Sequence, residues 1–296
     1  MAKVIVEDSN LKRVADAIRS KNGETEEYKL SQFSSKIDEM NIATPVTKGF
    51  IINSFDEDGY PTDASIVGMT KIPDYYFYHA AYVNGSNKGW LANIGNNLHL
   101  PDKLTSIGKN AFLGCTNLAL TSLPNTLITL SDGCFRECTN LVLTELPSSL
   151  TEIKVDCFRD CKNLILTKLP ENLTKLGIEC FYSCTKLTLT ELPASITDLP
   201  YGTFNYCDSI TEMTIKGNIT SIGAYAFNKT NLSKLVLLNI TTIPSLSSSA
   251  LNNTPIASKK GYIYVPDALV EDFKVASNWS TYASQIKGVS ELEAQI

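Results

Sequence analysis

Eight cysteines are the residues best equipped for chemistry in this chain. Cys134 with Cys138, Cys157 with Cys161 and Cys180 with Cys184 are spaced alike, and Cys115 and Cys207 complete the set. Each pair could offer zinc two thiolates, but structural zinc takes four ligands in a cage, and no C-x-x-C knuckle occurs. His79 and His99 are the only imidazoles, so a Ser-His-acid or Cys-His site must use one of them. Neither stands beside a nucleophile motif, and G-x-S-x-G, Walker, dinucleotide and H-E-x-x-H patterns are missing. Asp56, Asp58 and Asp63 carry carboxylates suited to calcium, yet they lack the loop spacing and the closing bidentate Glu, so they read as a turn. No catalytic residue, metal site or cofactor is therefore expected.

The cysteine spacing has another origin. Phe112, Phe135, Phe158, Phe181, Phe204 and Phe227 follow one another at intervals of 23 residues. Five cysteines (Cys115, Cys138, Cys161, Cys184, Cys207) stand three places after a phenylalanine, and three (Cys134, Cys157, Cys180) stand just before one. A fixed period of about 20–29 residues with leucines at set offsets marks a leucine-rich-repeat solenoid, whose coils bury their apolar faces only against their neighbours. Small, nearly apolar thiols suit the wall of such a coil. Cross-coil disulfides are not forbidden, because adjacent coils lie about one strand spacing apart.

In the unit Leu146 to Lys168, the expected ladder is Leu146, Leu150, Ile153, Phe158, Cys161, Leu164 and Leu166. Leu164 and Leu166 are two apart and predict a strand. Cys157, Phe158 and Cys161 share one face of a helical turn over 156–161, and Pro147 and Pro170 mark corners. Each turn is thus a short strand plus a short helix or irregular arm. Met69, Ile72 and Phe77 match Leu104, Ile107 and Phe112 as an irregular first repeat, interrupted by the Gly- and Asn-rich stretch 80–97. Leu251 takes the phenylalanine position after Phe227, one residue late.

The flanks read as caps. Residues 8–40 predict a helical hairpin: Asp8 or Ser9 caps a helix bearing Leu11, Val14 and Ile18, and Ser31 caps one bearing Phe33, Ile37 and Met40. So few apolar residues make it marginal alone, which points to oligomerisation or docking through residues 8–40. Asp58-Gly59 between two apolar stretches predicts a β-hairpin over 49–67. Gly261 to Pro266 predicts a strand and 267–276 a helix, with Trp279, Tyr282 and Ile286 as apolar cover. The expected division is 1–48 helical hairpin and linker, 49–99 β-hairpin and irregular first repeat, 100–260 solenoid, and 261–296 C-terminal strand-helix cap.

The charge balance narrows the partners. Lys plus Arg is 26 against 31 for Asp plus Glu, a formal net charge of −5, which argues against nucleic acid and a polybasic membrane anchor. No apolar run approaches the length of a membrane span, so no membrane insertion is expected. The start, MAKVIVEDSN, has too short an apolar run for a signal peptide. What remains is a binding surface. One candidate is the pair of outward columns Ala119, Val142, Ile165, Thr188 and Ser122, Glu145, Lys168, Glu191, on which Ile165, Lys168, Glu145 and Glu191 are the contact residues expected. A solvated sheet would look the same. A second is the aromatic group Tyr75, Tyr76, Tyr78, Tyr82 and Trp90, since Tyr and Trp dominate hot spots, although such a group also suits cap packing. Arg159, Asp160 and their counterparts are a third place where side chains vary without breaching the wall.

The pattern L-P-x-x-L-T-x-I-x-x-x-x-F-x-x-C-x-x-L resembles the BspA-like bacterial leucine-rich-repeat family over about residues 66–256, and Ile263 to Pro266 with Asn278-Trp279 resembles that family's ends. The resemblance implies surface adhesion with a protein or glycan ligand, and no catalytic residues. Leu11 to Met40 separately resembles the N-terminal hairpin of prophage tail or baseplate proteins of Gram-positive bacteria, which implies a receptor-binding component as the alternative. The expected location is the cell surface or the exterior if an export signal was trimmed, and otherwise the cytoplasm before assembly into a phage-like particle.

Overall fold

A computed structural model of the protein describes residues 4–6, 49–55, 61–77 and 98–293. The helical hairpin expected over 8–40, the turn at Asp58, the interruption 80–97, and Tyr78, His79, Tyr82 and Trp90 lie outside these residues.

The chain winds as a solenoid whose repeats stack in parallel. Strands Lys71–Ile72, Ser106–Ile107, Thr129–Leu130, Glu152–Ile153 and Lys175–Leu176 form one ladder, with Ile72 opposite Ile107, Leu130 opposite Ile153, and Ile153 opposite Leu176. Asp198–Leu199, Ser221–Ile222 and Ser245–Leu246 form a second ladder in the later coils. The irregular first repeat is thereby in register with the regular ones, as Met69, Ile72 and Phe77 predict. Each coil turns its corner at a proline, where the N–H of Leu127, Leu150 and Leu173 donates to the carbonyl of Pro124, Pro147 and Pro170. A proline at that place surrenders no ladder donor.

The strand expected at Leu164 and Leu166 does not form a ladder. Both side chains are buried as predicted, but the described strands of this coil lie on the Glu152–Ile153 side. The inward residues Leu164, Leu166 and Leu169 are spaced by two and then by three, as are Leu187, Leu189 and Leu192 in the next coil, where only Glu191–Leu192 pairs, with Thr214–Ile215. In Ile210, Met213 and Ile215 the order is reversed, and a strand forms at Glu212–Ile215 with alternating burial. It pairs with Lys234–Leu237, which is followed by Tyr262–Val265 and Ile286–Gly288.

The arm around the phenylalanine is a chain of turns, not the helix expected over 156–161. Asp156 and Asp160 have φ of 55° and 59°, and these left-handed residues interrupt any helical run. The N–H groups instead alternate between two jobs. Those of Arg159 and Cys161 close turns onto Asp156 and Phe158, while those of Asp156, Phe158 and Asp160 donate to Ile178, Cys180 and Tyr182 of the next coil. Every second peptide thus stitches two coils together.

Inside, Phe77, Phe112, Phe135, Phe158, Phe181, Phe204 and Phe227 form a continuous stack of fully buried rings, with centroids 4.9 to 5.7 Å apart and planes within 19° of parallel. Leu251 is buried beyond Phe227, whose N–H donates to Ala250. The open end is closed by strand Tyr262–Val265, helix Val270–Val275, and Trp279, which packs edge-on to Phe273 and donates its indole N–H to Pro244. At the other end, Gly49–Phe55 pairs antiparallel with Pro61–Val67, as the hairpin signal predicts, and Leu98–His99 adds in parallel.

Adjacent coils approach closely at Gly177. A Cβ there would lie 2.3 Å from the carbonyl carbon of Lys154 and 2.4 Å from the nitrogen of Val155. Ser131 and Lys154 fill the equivalent place in other coils, so Gly177→Ala should displace a coil without abolishing the fold. The expected loss is about 1–3 kcal/mol, measured by urea unfolding; an unchanged midpoint would show that the coils yield freely.

Candidate interaction surface

All eight cysteines are free and buried. The thiols of Cys138, Cys161, Cys184 and Cys207 donate to the carbonyls of Phe112, Phe135, Phe158 and Phe181 in the coil before, at 3.0 to 3.1 Å. Cys134 and Cys157 bring their sulfurs to 3.5 Å, far longer than the ~2.05 Å of a disulfide. Burial pushes the Cys115 thiol up to about 12 and raises those of Cys138, Cys161 and Cys184 well above the usual range. They are neutral wall residues, since the thiolate is the reactive form. Iodoacetamide should accordingly leave the native protein unlabelled at mildly alkaline pH and modify all eight thiols after unfolding without reductant. Mass spectrometry reads this directly, and two missing adducts would reveal a bridge.

Among the described residues no group of three His, Cys, Asp or Glu is placed to hold a metal, and no helix is long and apolar enough to cross a membrane. His99 is exposed at the end of strand Leu98–His99. Tyr75 is exposed, in the left-handed region, whereas Tyr76 is half-buried with its ring 4.7 Å from Phe77, in the cap-packing role. Ile165, Lys168 and Glu145 are exposed, while Glu191 is half-buried and paired with Lys216 at 2.8 Å. Ala119 and Val142, earlier in the same column as Ile165, are half-buried. The exposed members of these columns are mostly polar.

The phenylalanine arm carries a more concentrated surface. Three places before the phenylalanine stand Val155, Ile178 and Tyr201, 40%, 46% and 44% exposed; Ala224 holds this place in the next coil, and its neighbour Tyr225, two places before Phe227, is 36% exposed. Lys109 and Asp132 hold this place in the earlier coils. Backbone bonds from Asp156 to Ile178 (2.9 Å) and from Glu179 to Tyr201 (3.0 Å) fix neighbouring members to one another, and the Tyr201 and Tyr225 rings meet edge to face at 5.6 Å.

Beside the row, Arg159 is gripped by Asp156 at 3.5 Å, by Asp160 at 3.6 Å and by Glu179, and its guanidinium lies 4.2 Å above the Tyr182 ring. Burial works against its charge, but Glu179 and Asp156 outweigh that and hold its pKa above the ordinary value. Arg136 reaches Glu137 and Asp156. Further along, Tyr182 and Tyr206 are 5.4 Å apart, and Lys229 donates to the Tyr206 hydroxyl at 2.9 Å while lying over its ring. Asn228 donates to Asn205 and Asn253 to Asn228, both at 2.8 Å.

Arg159 and Asp160 direct attention to this arm from sequence, and Tyr182 and Tyr206 are their counterparts in later coils. Val155, Ile178, Tyr201 and Tyr225 escape that reading, although comparing the residue three before each phenylalanine down the repeats would have found the first three.

A search of the curated proteins gives no match. Among solved structures, the chain is similar to a leucine rich repeat protein of T. pallidum, with 24% identity, 63% of this chain and 88% of that one covered, and a TM-score of 0.41. It is also similar to a leucine rich cell surface protein of Faecalibacterium prausnitzii A2-165, with 16% identity, 85% and 96% covered, and a TM-score of 0.30. A leucine-rich repeat protein of Bacteroides ovatus gives 15% identity, 75% and 71% covered, and 0.35. The family model described as BspA type leucine rich repeat region matches in 6 copies across residues 93–188 and 131–257. Those copies take in most of the stacked phenylalanines and the cysteine wall, and the chain belongs to the BspA type leucine-rich repeat family.

Proposed function

We propose that this is a non-catalytic recognition protein whose solenoid binds a protein or glycan partner at a bacterial or host surface. The observation that carries this reading is the exposed row Val155, Ile178 and Tyr201, three apolar and aromatic side chains 23 residues apart on coils stitched by backbone hydrogen bonds, with the Tyr225 ring beside Tyr201. Tyrosines on a rigid support supply contact area with little ordering cost, which is what a binding surface needs. The BspA type repeat family and the absence of any catalytic motif from the sequence support the same reading. Glycan and protein arrays probed with the intact protein test it. Saturable binding to an arrayed partner is expected. Silence on both arrays, together with small-molecule turnover that His79→Ala abolishes, would overturn it.

A further inference from the structure

We infer that the solenoid carries a hinge at the joint between the Lys175–Leu176 and Asp198–Leu199 coils, where the array divides into two blocks that open from each other. A proline sets its position.

Two ladders stop at this joint. Lys175–Leu176 closes the first and Asp198–Leu199 begins the second, and the two strands do not pair. At other joints the residue four places before the phenylalanine position supplies a bond to the coil before. Gly108, Lys154, Gly177, Gly223 and Ser247 donate their N–H to Ile72, Leu130, Ile153, Leu199 and Ile222, at 2.7 to 3.0 Å. Pro200 stands in this place. It has no N–H, and a ring carbon fills the space through which the proton would reach Leu176. Leu176 is 6% exposed, while Ile153 and Leu199 on either side are fully covered.

A neighbouring row of threonines repeats the break. Thr105, Thr151, Thr174 and Thr220 donate both N–H and hydroxyl to a carbonyl of the coil before. Thr197, in the same place, turns its hydroxyl to Asp198 instead.

The other sides of the joint stay closed. On the arm, Glu179, Phe181 and Ser183 donate to Tyr201, Thr203 and Asn205, and Phe181 stacks on Phe204 at 5.7 Å. Beyond the arm, Glu191–Leu192 pairs with Thr214–Ile215, and the Ser195 hydroxyl spans the corner next to the gap, donating to Glu171 and Leu173. A joint bonded along the arm and open along the ladder yields by rotation about the arm. The exposed row crosses it between Ile178 and Tyr201 on the bonded side, and so keeps its spacing while the ladder side spreads.

The stability of a solenoid is close to a sum of coil terms and nearest-neighbour joint terms, so the array divides where the joint term is smallest. Each amide–carbonyl bond shifts such an equilibrium by about two- to tenfold. Here the ladder bonds are lost together.

The buried thiols report on the two blocks, since Cys184 lies in the coil before the joint and Cys207 in the coil after it. The test is pulsed alkylation of the intact protein with iodoacetamide in increasing urea, read by mass spectrometry. Cys184 and Cys207 should be modified at different urea concentrations, their rates about tenfold or more apart where the first is half modified. Cys138 and Cys161, across a bonded joint, should be modified together. Pro200→Ser installs the residue of the Ser247 place and should narrow the gap between Cys184 and Cys207 by about two- to tenfold. Lys154→Pro removes the donor to Leu130 and should part Cys161 from Cys138. A shared urea dependence of Cys184 and Cys207 in the parent protein overturns the hinge. So does a gap that Pro200→Ser leaves unchanged, or a Lys154→Pro variant in which Cys138 and Cys161 still respond as one.

Discussion

Phe158→Ala is expected to cost the solenoid about 3–5 kcal/mol. The ring is fully buried and stacked between Phe135 at 5.7 Å and Phe181 at 5.5 Å. Removing it leaves a cavity walled by backbone that cannot collapse, because the peptides on either side are committed to bonds with the next coil: the N–H of Phe135 to Cys157, and that of Phe158 to Cys180. Each lost ring contact adds about 0.5–1.5 kcal/mol beyond buried area. A solenoid has no distant part of its core to share the loss, since each coil answers only to its neighbours. Phe158→Leu is the control. Leu251 occupies this position unaided in the last coil, so leucine should cost markedly less than alanine. Urea unfolding followed by circular dichroism measures both. An alanine penalty below about 1 kcal/mol, far under the range for a buried phenylalanine, would mean that the stack is not the continuous support described.

The rings of that stack were legible because burial dictates their identity. Phe158 and its copies, the flanking cysteines, and Leu251 one residue late could all be assigned from offsets alone. What escaped is set by the backbone. Leu164, Leu166 and Leu169 are inward in sequence and in structure, yet they form no ladder strand, while the identically spaced Leu187, Leu189 and Leu192 pair at Glu191–Leu192 with the strand of Met213 and Ile215, so hydrophobic spacing alone does not mark where a ladder forms. The left-handed turns are harder still. Gly114, Gly133 and Gly202 announce such positions, but Glu137, Asp156, Asp160, Glu179 and Tyr206 take the same conformation without a sequence signal. Because those turns aim the residues beside them outward, the exposure of Val155 and Ile178 could not be read from hydrophobicity, which by itself places both inside. The contact residues expected at Ile165, Lys168 and Glu145 are exposed, but without aromatic neighbours.

The cysteine wall makes the protein sensitive to alkali, and this is the largest effect expected. Burial raises the thiols of Cys115, Cys138, Cys157, Cys161, Cys180, Cys184 and Cys207 above their ordinary range, the Cys157 thiol also through its contact with Cys134. In the unfolded chain they titrate near 8.5. Below that pH both states hold the protons and the thiols contribute nothing to the pH dependence. Above it the unfolded chain releases protons that the folded chain keeps, so the unfolded state binds fewer and stability falls as pH rises. Each thiol then contributes about 1.4 kcal/mol per pH unit, and the group together on the order of 10 kcal/mol per unit. Ordinary domains have about 5–15 kcal/mol in total, so the fold should be lost at about pH 9.5 to 10, well before Cys115 would titrate in place at about 12. Circular dichroism against pH, with reductant present, should show a steep cooperative loss that reverses on acidification. Lysine deprotonation also weakens surface pairs such as Lys216 with Glu191 in this range, but exposed pairs contribute little. Cys161→Ala separates the two causes. It costs packing at every pH, yet it should flatten the fall of stability above about pH 9 by one proton's worth, about 1.4 kcal/mol per unit. A denaturation midpoint that stays level from about pH 8 to 10 would show that the thiols do not keep their protons inside the folded wall.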